Sequence, residues 1–356
     1  MKMKHIIYLM ISLVVLVASC DKPEPAPMPE QYDKYIFFSQ NVDTRASLID
    51  STAAMNGKSF GVLGYKYDKS TTWSSAKTAA TPNVFTSVPQ SVTCDSDGNG
   101  TYSPLQGWSN SKKYTFFAYY PVDNANITLV DTDGDPYVSG VPAIKYSLDA
   151  SSASKLKASM VDVMTATYDS NIHTDRYWYS SNDNNVANGN IAFTFNHCLS
   201  SLGVKVKNSS AGSIILTRIT LTVDGIKNES IIIPLDGQQS TVTPFSTAKR
   251  ASFTLDIPST ENILSAAANP QYAELSEKLI FIPQGDALSV KVTVEYTRQC
   301  GNAVTDKATY ETGILSTALT AGKKHLVQLN FKDKTIEATI STEGWVDIPD
   351  VEDTFN

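Results

Sequence analysis

The chain has 356 residues, and its 29 basic and 36 acidic side chains give a formal net charge of −7 at pH 7. This length is more than one hydrophobic core usually serves, so two domains are expected. An acidic balance without clustered Lys and Arg argues against nucleic acid or an anionic membrane surface as the main partner.

The first twenty residues are typical of an export signal that ends at a lipidated cysteine. A short basic start precedes an apolar run from Ile6 to Val17, which is too short to cross a bilayer of about 30 Å as a helix. With small residues before Cys20, this pattern predicts a signal peptide over 1–19. The four residues that end at Cys20 are similar to the lipobox of bacterial lipoproteins, so we expect lipid on Cys20. An ordinary secretory signal with an incidental cysteine is the alternative.

Residues 20–45 combine a tether with a short apolar strand. The tether is rich in proline as far as Pro29, and such stretches form extended spacers. Tyr35–Phe38 is apolar on both faces, as a fully buried strand would be. Arg45 follows in small polar surroundings that suit an exposed loop open to proteolysis, although an ordinary surface arginine would look the same.

Strand signals dominate the rest of the chain, and helical periodicity is scarce. In Ser289–Tyr296 apolar and polar side chains alternate, which predicts a half-buried antiparallel strand. Short helices are expected in Ser151–Met160 and Glu261–Lys278. The pattern predicts an all-β protein of β-sandwiches with little helix. A polar tract divides it into an N-terminal sandwich over 46–185 and a C-terminal sandwich over 186–356.

Five local patterns follow the lipobox in a set order. They are Asp43–Ala46, the aromatic Tyr114–Pro121, Phe193–Ser200 running into Leu202–Val206, Leu319–His325, and a late Trp345. In this order they resemble the fimbrillin family, the lipoprotein-derived subunits of type V pili. The resemblance implies two tandem transthyretin-like β-sandwich domains. It also implies export to the outer membrane, cleavage after a basic residue by an arginine-specific protease, and release of the first strand. A C-terminal strand of the next subunit then fills the groove.

The sequence contains candidates for each part of that cycle. Tyr35–Phe38 is the removable strand, and the bond between Arg45 and Ala46 is the candidate cleavage site, with Lys249-Arg250 as a competing exposed target. The candidate donor strand over 335–348 places alternate aliphatic side chains on one face, as a strand that fills pockets would. Those side chains are Ile336, Ala338, Ile340, Val346 and Ile348. The same pattern suits the last strand of the chain's own second domain.

The expected function is therefore that of a pilus subunit that supports adhesion and has other pilin subunits as partners. It would be an outer-membrane lipoprotein first and part of a surface fimbria later, with no cofactor and no enzymatic activity. The alternative is an anchored, non-polymerising lipoprotein or tip adhesin that binds a glycan or host ligand. Tyr177–Tyr179 is a candidate sugar-stacking surface for that alternative.

A weak calcium candidate is formed by Asp95, Asp97 and Asn99, which match the start of an EF-hand loop. The twelfth position is Gln106, where a bidentate Glu is needed, so a hairpin turn is the preferred interpretation. Asp131 begins a poorer match of the same kind. No other metal site is expected.

The cysteines and His197 have simple structural interpretations. Cys94, Cys198 and Cys300 have no CxxC spacing, which predicts three buried thiols, with one disulfide as the alternative. His197 follows Phe193 and Phe195 in parity, so it is expected to face a core or interface with a satisfied ring nitrogen.

Overall fold

The alternating pattern of the sequence produces a protein built almost entirely of strands. The computed structural model describes residues 35–42, 53–109, 112–167, 190–301, 303–304 and 307–345. Its helical elements are a 3₁₀ turn (Ala53–Met55), α1 (Trp73–Ala76) and α2 (Ala153–Ser159). Neither α-helix of the described residues has the length or the apolar content needed to cross a membrane.

The strands of the described residues, in chain order, are β1 (Phe37–Val42), β2 (Ser59–Asp68), β3 (Gln90–Cys94), β4 (Asn99–Thr101), β5 (Lys112–Tyr120), β6 (Ile127–Val130), β7 (Ala143–Ser147), β8 (Met164–Thr167), β9 (Asn190–His197), β10 (Ser200–Asn208), β11 (Ser213–Pro234), β12 (Thr241–Leu255), β13 (Ile263–Leu264), β14 (Ala273–Glu274), β15 (Leu279–Phe281), β16 (Ala287–Cys300), β17 (Ala303–Val304), β18 (Ala308–Glu311), β19 (Leu315–Ala318), β20 (Lys323–Phe331) and β21 (Ile336–Gly344).

Seven of these strands close on themselves in the order β1-β4-β3-β2-β5-β8-β9. Their inward side chains form a core rich in aromatic rings, with Phe60, Tyr114 and Phe195 fully buried. Because β9 pairs with β1 in parallel and with β8 antiparallel, the ring closes only through β1. The first strand of the described chain therefore completes this body.

The other strands form two sheets that share one core. One sheet has the order β14-β10-β20-β21 with β15 beside β10, and the other has the order β17-β16-β11-β7-β6 with further strands beside β11 and β16. Side chains of β10, β11, β16 and β20 belong to a single buried cluster, as in a β-sandwich. In β16 Val290, Val292 and Val294 are buried, which confirms the alternation seen in the sequence.

The helix expected in Ser151–Met160 is present as α2. The prediction of a helix in Glu261–Lys278 is wrong. That segment instead contains β13, which pairs with β11, and β14, which pairs with β10. Backbone pairing to existing strands outweighs the local helical preference of its alanines. In addition, β7 pairs with the second half of β11 from Ser147↔Ser230 to Ala143↔Pro234. The domain division near residue 185 stays a prediction.

Candidate functional site

Strand β1 is hydrogen-bonded along both of its edges. On one side it pairs antiparallel with β4, and on the other it runs parallel to β9 along its whole length. Just before β1 the amide of Ile36 donates to the carbonyl of Gln106, and within it the amide of Gln40 donates to the carbonyl of Gly98, both at 2.8 Å. The strand is thus an internal member of the ring.

The inward side chains of this segment enter the aromatic core. Ile36, Phe38 and Gln40 are 0%, 1% and 4% exposed. The Phe38 ring stacks on Phe193 with centroids 5.5 Å apart and an interplanar angle of 15°. Three further rings lie with their centroids 5.6–6.1 Å from that of Phe38, namely Phe85, Tyr102 and Phe116. Phe38 is therefore the main anchor of the segment.

Gly100 of β4 leaves no room for a side chain between β3 and the backbone of β1. A Cβ at Gly100 would lie 2.6 Å from Cγ1 of Val92 and 3.2 Å from the carbonyl oxygen of Phe38. The phenol of Tyr102 adds a hydrogen bond to the carbonyl of Ile36 at 2.8 Å. The site fits a strand at this position through backbone proximity as well as through side-chain pockets.

The expectation that Tyr35–Phe38 is buried on both faces is wrong. Tyr35 and Phe37 are 49% and 41% exposed, whereas Ile36 and Phe38 are buried. The reason is geometric, because successive side chains of a strand point to opposite faces and only the inner face of this ring is packed here.

Strand β21 lies at the edge of its sheet in the described part of the chain. It pairs antiparallel with β20 from Ile336↔Phe331 to Gly344↔Lys323. Ile336 is buried, and Ala338 and Ile340 are partly buried against the sandwich core. The structure thus places these three side chains on their own subunit, as the alternative interpretation of the sequence has it. The donor role stays a prediction.

Two buried histidines contact the end of β21 or the residue that follows it. His197 stacks face to face on Trp345, with ring centroids 4.1 Å apart and an interplanar angle of 5°. Its Nδ1 donates to Oδ1 of Asp162 at 2.8 Å, which confirms the expected satisfied ring nitrogen. The amide of Trp345 donates to the carbonyl of Gly322 at 3.1 Å.

The second histidine, His325, has polar partners on both ring nitrogens. Its Nε2 accepts from the amide of Thr320 at 3.2 Å, and its Nδ1 lies 2.9 Å from the hydroxyl of Thr317 and 3.1 Å from that of Thr342. Burial lowers the pKa of His325 below its ordinary value. The sequence predicts a role for neither His325 nor Asp162, because no spacing motif indicates these contacts and His197 lies far in sequence from Asp162 and Trp345.

Both candidate calcium loops form turns held by their own aspartates. Oδ1 of Asp95 accepts from the amides of Asp97 and Asn99 at 2.9 and 2.8 Å, and Oδ2 accepts from the side chain of Asn99 at 3.1 Å. These hydrogen bonds lower the pKa of Asp95. Asp131 accepts three backbone amides in the same way. Among the described residues, no group of three or more His, Cys, Asp or Glu is placed to hold a metal ion.

All three cysteines of the described chain are free thiols, but the expectation that all are buried is wrong. Cys94 is buried and Cys198 is partly buried, whereas Cys300 is exposed near the end of β16. Burial raises the pKa of Cys94 to about 12 and that of Cys198 to about 11.

Several residues singled out in the sequence lie outside the described residues. They are Cys20, Arg45, Ala46, Tyr177–Tyr179, Val346 and Ile348. The competing target Arg250 is described: it is exposed, as expected, but it lies within β12 opposite Asp224 of β11.

This chain is similar to solved structures of bacterial proteins, and a protein-family model matches its sequence. A fimbrial protein from Bacteroides vulgatus ATCC 8482 is 20% identical, with a TM-score of 0.55 over 87% of this chain and 99% of its own. A proposed cell adhesion protein from Bacteroides uniformis ATCC 8492 is 14% identical, with a TM-score of 0.48 over 89% of this chain and 100% of its own. No curated protein matches the sequence. The model of the family described as fimbrillin-like matches residues 44–345, which is most of the sequence, so the chain belongs to the fimbrillin-like family.

Proposed function

We propose that this protein is a structural subunit of a cell-surface pilus that supports adhesion. It is exported as a lipoprotein, is held at the outer membrane through lipid on Cys20, and is matured by proteolysis after Arg45. It then polymerises with other copies by donor-strand exchange. The observation that carries the proposal is β1, a strand paired on both edges whose chain reaches Arg45 three residues after Val42.

Cleavage after Arg45 separates the whole of β1 from the body. Loss of that strand takes Ile36, Phe38 and Gln40 out of their pockets and leaves a groove between β4 and β9. Burying one large aliphatic or aromatic side chain is worth about 1.5–3 kcal/mol. The two apolar pockets alone therefore favour a replacement strand by about 3–6 kcal/mol before entropy costs. The unpaired backbone N–H and C=O groups of β4 and β9 further favour binding of a replacement strand.

The proposed replacement is the C-terminal strand of a second copy. Its aliphatic side chains fall on alternate positions from Ile336 to Ile340 and again at Val346 and Ile348, the parity that Ile36, Phe38 and Gln40 have in β1. Ile336, Ala338, Ile340, Val346 and Ile348 are the side chains offered. To serve as the donor, this strand must leave β20 of its own subunit.

The pairing of β21 on its own chain favours a second candidate function. A subunit that keeps its last strand is a non-polymerising surface lipoprotein or a tip adhesin, and it binds a glycan or host ligand. The two functions differ in whether cleavage after Arg45 leads to oligomers.

The test uses a soluble form that begins at Asp21, treated briefly with an arginine-specific protease. We expect a new N-terminus at Ala46 by sequencing and a ladder of heat-sensitive oligomers on a gel of unboiled samples. Arg45→Lys is the matched control, since it keeps the charge and removes the arginine. A resistant Arg45, or a cleaved product that stays monomeric, contradicts the pilus proposal and favours the second candidate.

The pairing of Arg250, together with the polar sequence around Arg45, predicts which arginine is cut first. Arg250 lies in a paired strand, and a protease needs an extended, unpaired segment. We therefore expect a terminus at Ala251 only after that at Ala46. A terminus at Ala251 that appears first would contradict this order.

A further inference from the structure

The end of β21, the last strand of the described residues, is held to the body by two histidine side chains. His325 contacts the hydroxyl of Thr342 in β21, and His197 stacks on Trp345 immediately after it. Asp162 fixes His197 from the segment before β8. We call these five residues the histidine clasp.

The hydrogen bonds of His325 require its neutral form. Nε2 accepts the amide hydrogen of Thr320, so in the neutral ring the proton is on Nδ1, which donates to the hydroxyls of Thr317 and Thr342. A second proton on Nε2 would point at the N–H of Thr320 and break that bond. Gly322 lies in the same turn and accepts the amide of Trp345 at 3.1 Å, so loss of the Thr320 bond on protonation weakens the turn that holds the end of β21.

The stack of His197 on Trp345 also buries polar atoms without hydrogen bonds, and this cost lowers the free energy needed to open it. Nε2 of His197, Oδ2 of Asp162 and Nε1 of Trp345 are buried without a hydrogen-bond partner among the described residues. When the strand end lifts, water can reach all three atoms. Contact between the two rings therefore holds the end of β21, while the cost of the buried polar atoms allows that end to be released.

We infer that the histidine clasp holds the C-terminal strand on its own subunit and that acid opens it, with His325 as the positioning residue that senses the proton. This inference rests on the proposed donor-strand function, because release of β21 is the step that this function requires. A subunit at neutral pH keeps its strand, and a subunit in a mildly acidic setting presents it to a neighbour.

The charged groups near the clasp are paired with partners other than His325. Desolvation is the cause of the lowered pKa of His325. Lys324 lies on the opposite face of β20, 3.6 Å from Glu274. Facing His197 is the carboxylate of Asp162, and on β21 the carboxylate of Glu343 pairs with Lys205 at 2.6 Å.

The direction of the effect follows from the lowered pKa. The closed state favours neutral His325, so this contribution is fully present well above the ordinary histidine pKa of 6.5 and is lost as pH falls below it. If opening frees the ring completely, the open fraction rises by at most about tenfold between pH 7.5 and pH 5.5.

The test is hydrogen exchange with mass spectrometry on the uncleaved protein that begins at Asp21. After correction for intrinsic exchange rates, we expect the protection of Ile336–Trp345 to fall from pH 7.5 to pH 5.5, by at most about tenfold. Protection of the central strand β11 serves as the internal reference and should change less. In His325→Gln, which cannot titrate, the fall should shrink to less than about twofold.

A second pair of variants keeps the test decisive if His325→Gln does not fold. Thr342→Val removes one partner of His325 and should raise exchange of β21 at pH 7.5, whereas Thr339→Val, on the opposite face of the same strand, should match the wild type. Unchanged protection in the wild type, or an undiminished fall in His325→Gln, overturns the clasp. No cleavage or polymer enters this readout, so an acid-opened strand without oligomers after cleavage would refute only the proposed function.

Discussion

Truncation of Phe38 to alanine is the sharpest test of the idea that β1 is a pocket-filling strand. The side chain is 1% exposed and lies within 6.1 Å, centroid to centroid, of four other aromatic rings. Phe38→Ala removes the benzyl group and leaves a void among rings that are held by their own strands. The variant is expected to be strongly destabilised while keeping the all-β fold.

The magnitude can be taken from the burial of the ring. Phe to Ala changes in cores cost about 3–5 kcal/mol, since the lost transfer free energy adds to that of the cavity. Phe38 belongs in the upper part of this range because its ring is enclosed on several sides. The neighbouring Phe37 is 41% exposed on the outer face, so Phe37→Ala should cost about 1 kcal/mol or less.

Urea unfolding of the two variants, both beginning at Asp21, measures this difference without any need for assembly. The pair is matched because the same residue type is removed from adjacent positions of one strand. Equal losses for Phe37→Ala and Phe38→Ala, or a loss below about 1 kcal/mol for Phe38→Ala, would refute the claim that the inner face of β1 anchors it.

Two other features give predictions of the same kind. Gly100→Ala should destabilise the protein by about 1–3 kcal/mol in urea unfolding, because the new methyl group would collide with β3 and β1, whereas Gly313→Ala enters open space and should be neutral. Equal stability of the two variants would contradict the close approach of β4 and β1. A maleimide at pH 7.5 should label Cys300 in the folded protein that begins at Asp21 and reach Cys94 and Cys198 only after unfolding, as judged by mass spectrometry. Three labels on the native protein would contradict their burial.

The sequence alone predicts the fold class well because it depends on local alternation. The period of two in Ser289–Tyr296 appears directly as the buried face of β16. The same reasoning fails for Tyr35–Phe38, since a run of apolar residues does not tell which layer covers each face. It also fails for Glu261–Lys278, where pairing to β10 and β11 decides the structure and local propensity does not.

The histidine clasp could not be predicted for a different reason. Its members are Asp162, His197, His325, Thr342 and Trp345, and nothing in their spacing indicates that they meet. The parity of His197 with Phe193 and Phe195 indicates that it is buried, but not which partners it has. Those contacts arise only when the fold brings the end of β9, from the closed ring, against the end of the β20–β21 pair, which is a property of the topology.

The two terminal strands of the described chain are held in physically different ways, and this difference suits the proposed cycle. β1 is hydrogen-bonded on both edges and is anchored by a fully buried aromatic ring, so its spontaneous exit from the ring is costly. β21 is bonded to β20 alone and buries Ile336 fully but Ala338 and Ile340 only in part. A strand held on one edge can leave by fraying from its end, whereas a strand held on two edges must break both ladders. In the proposed cycle, cutting the chain next to β1 is therefore the step for which a protease is needed, while release of β21 needs only a contact at its end that can open.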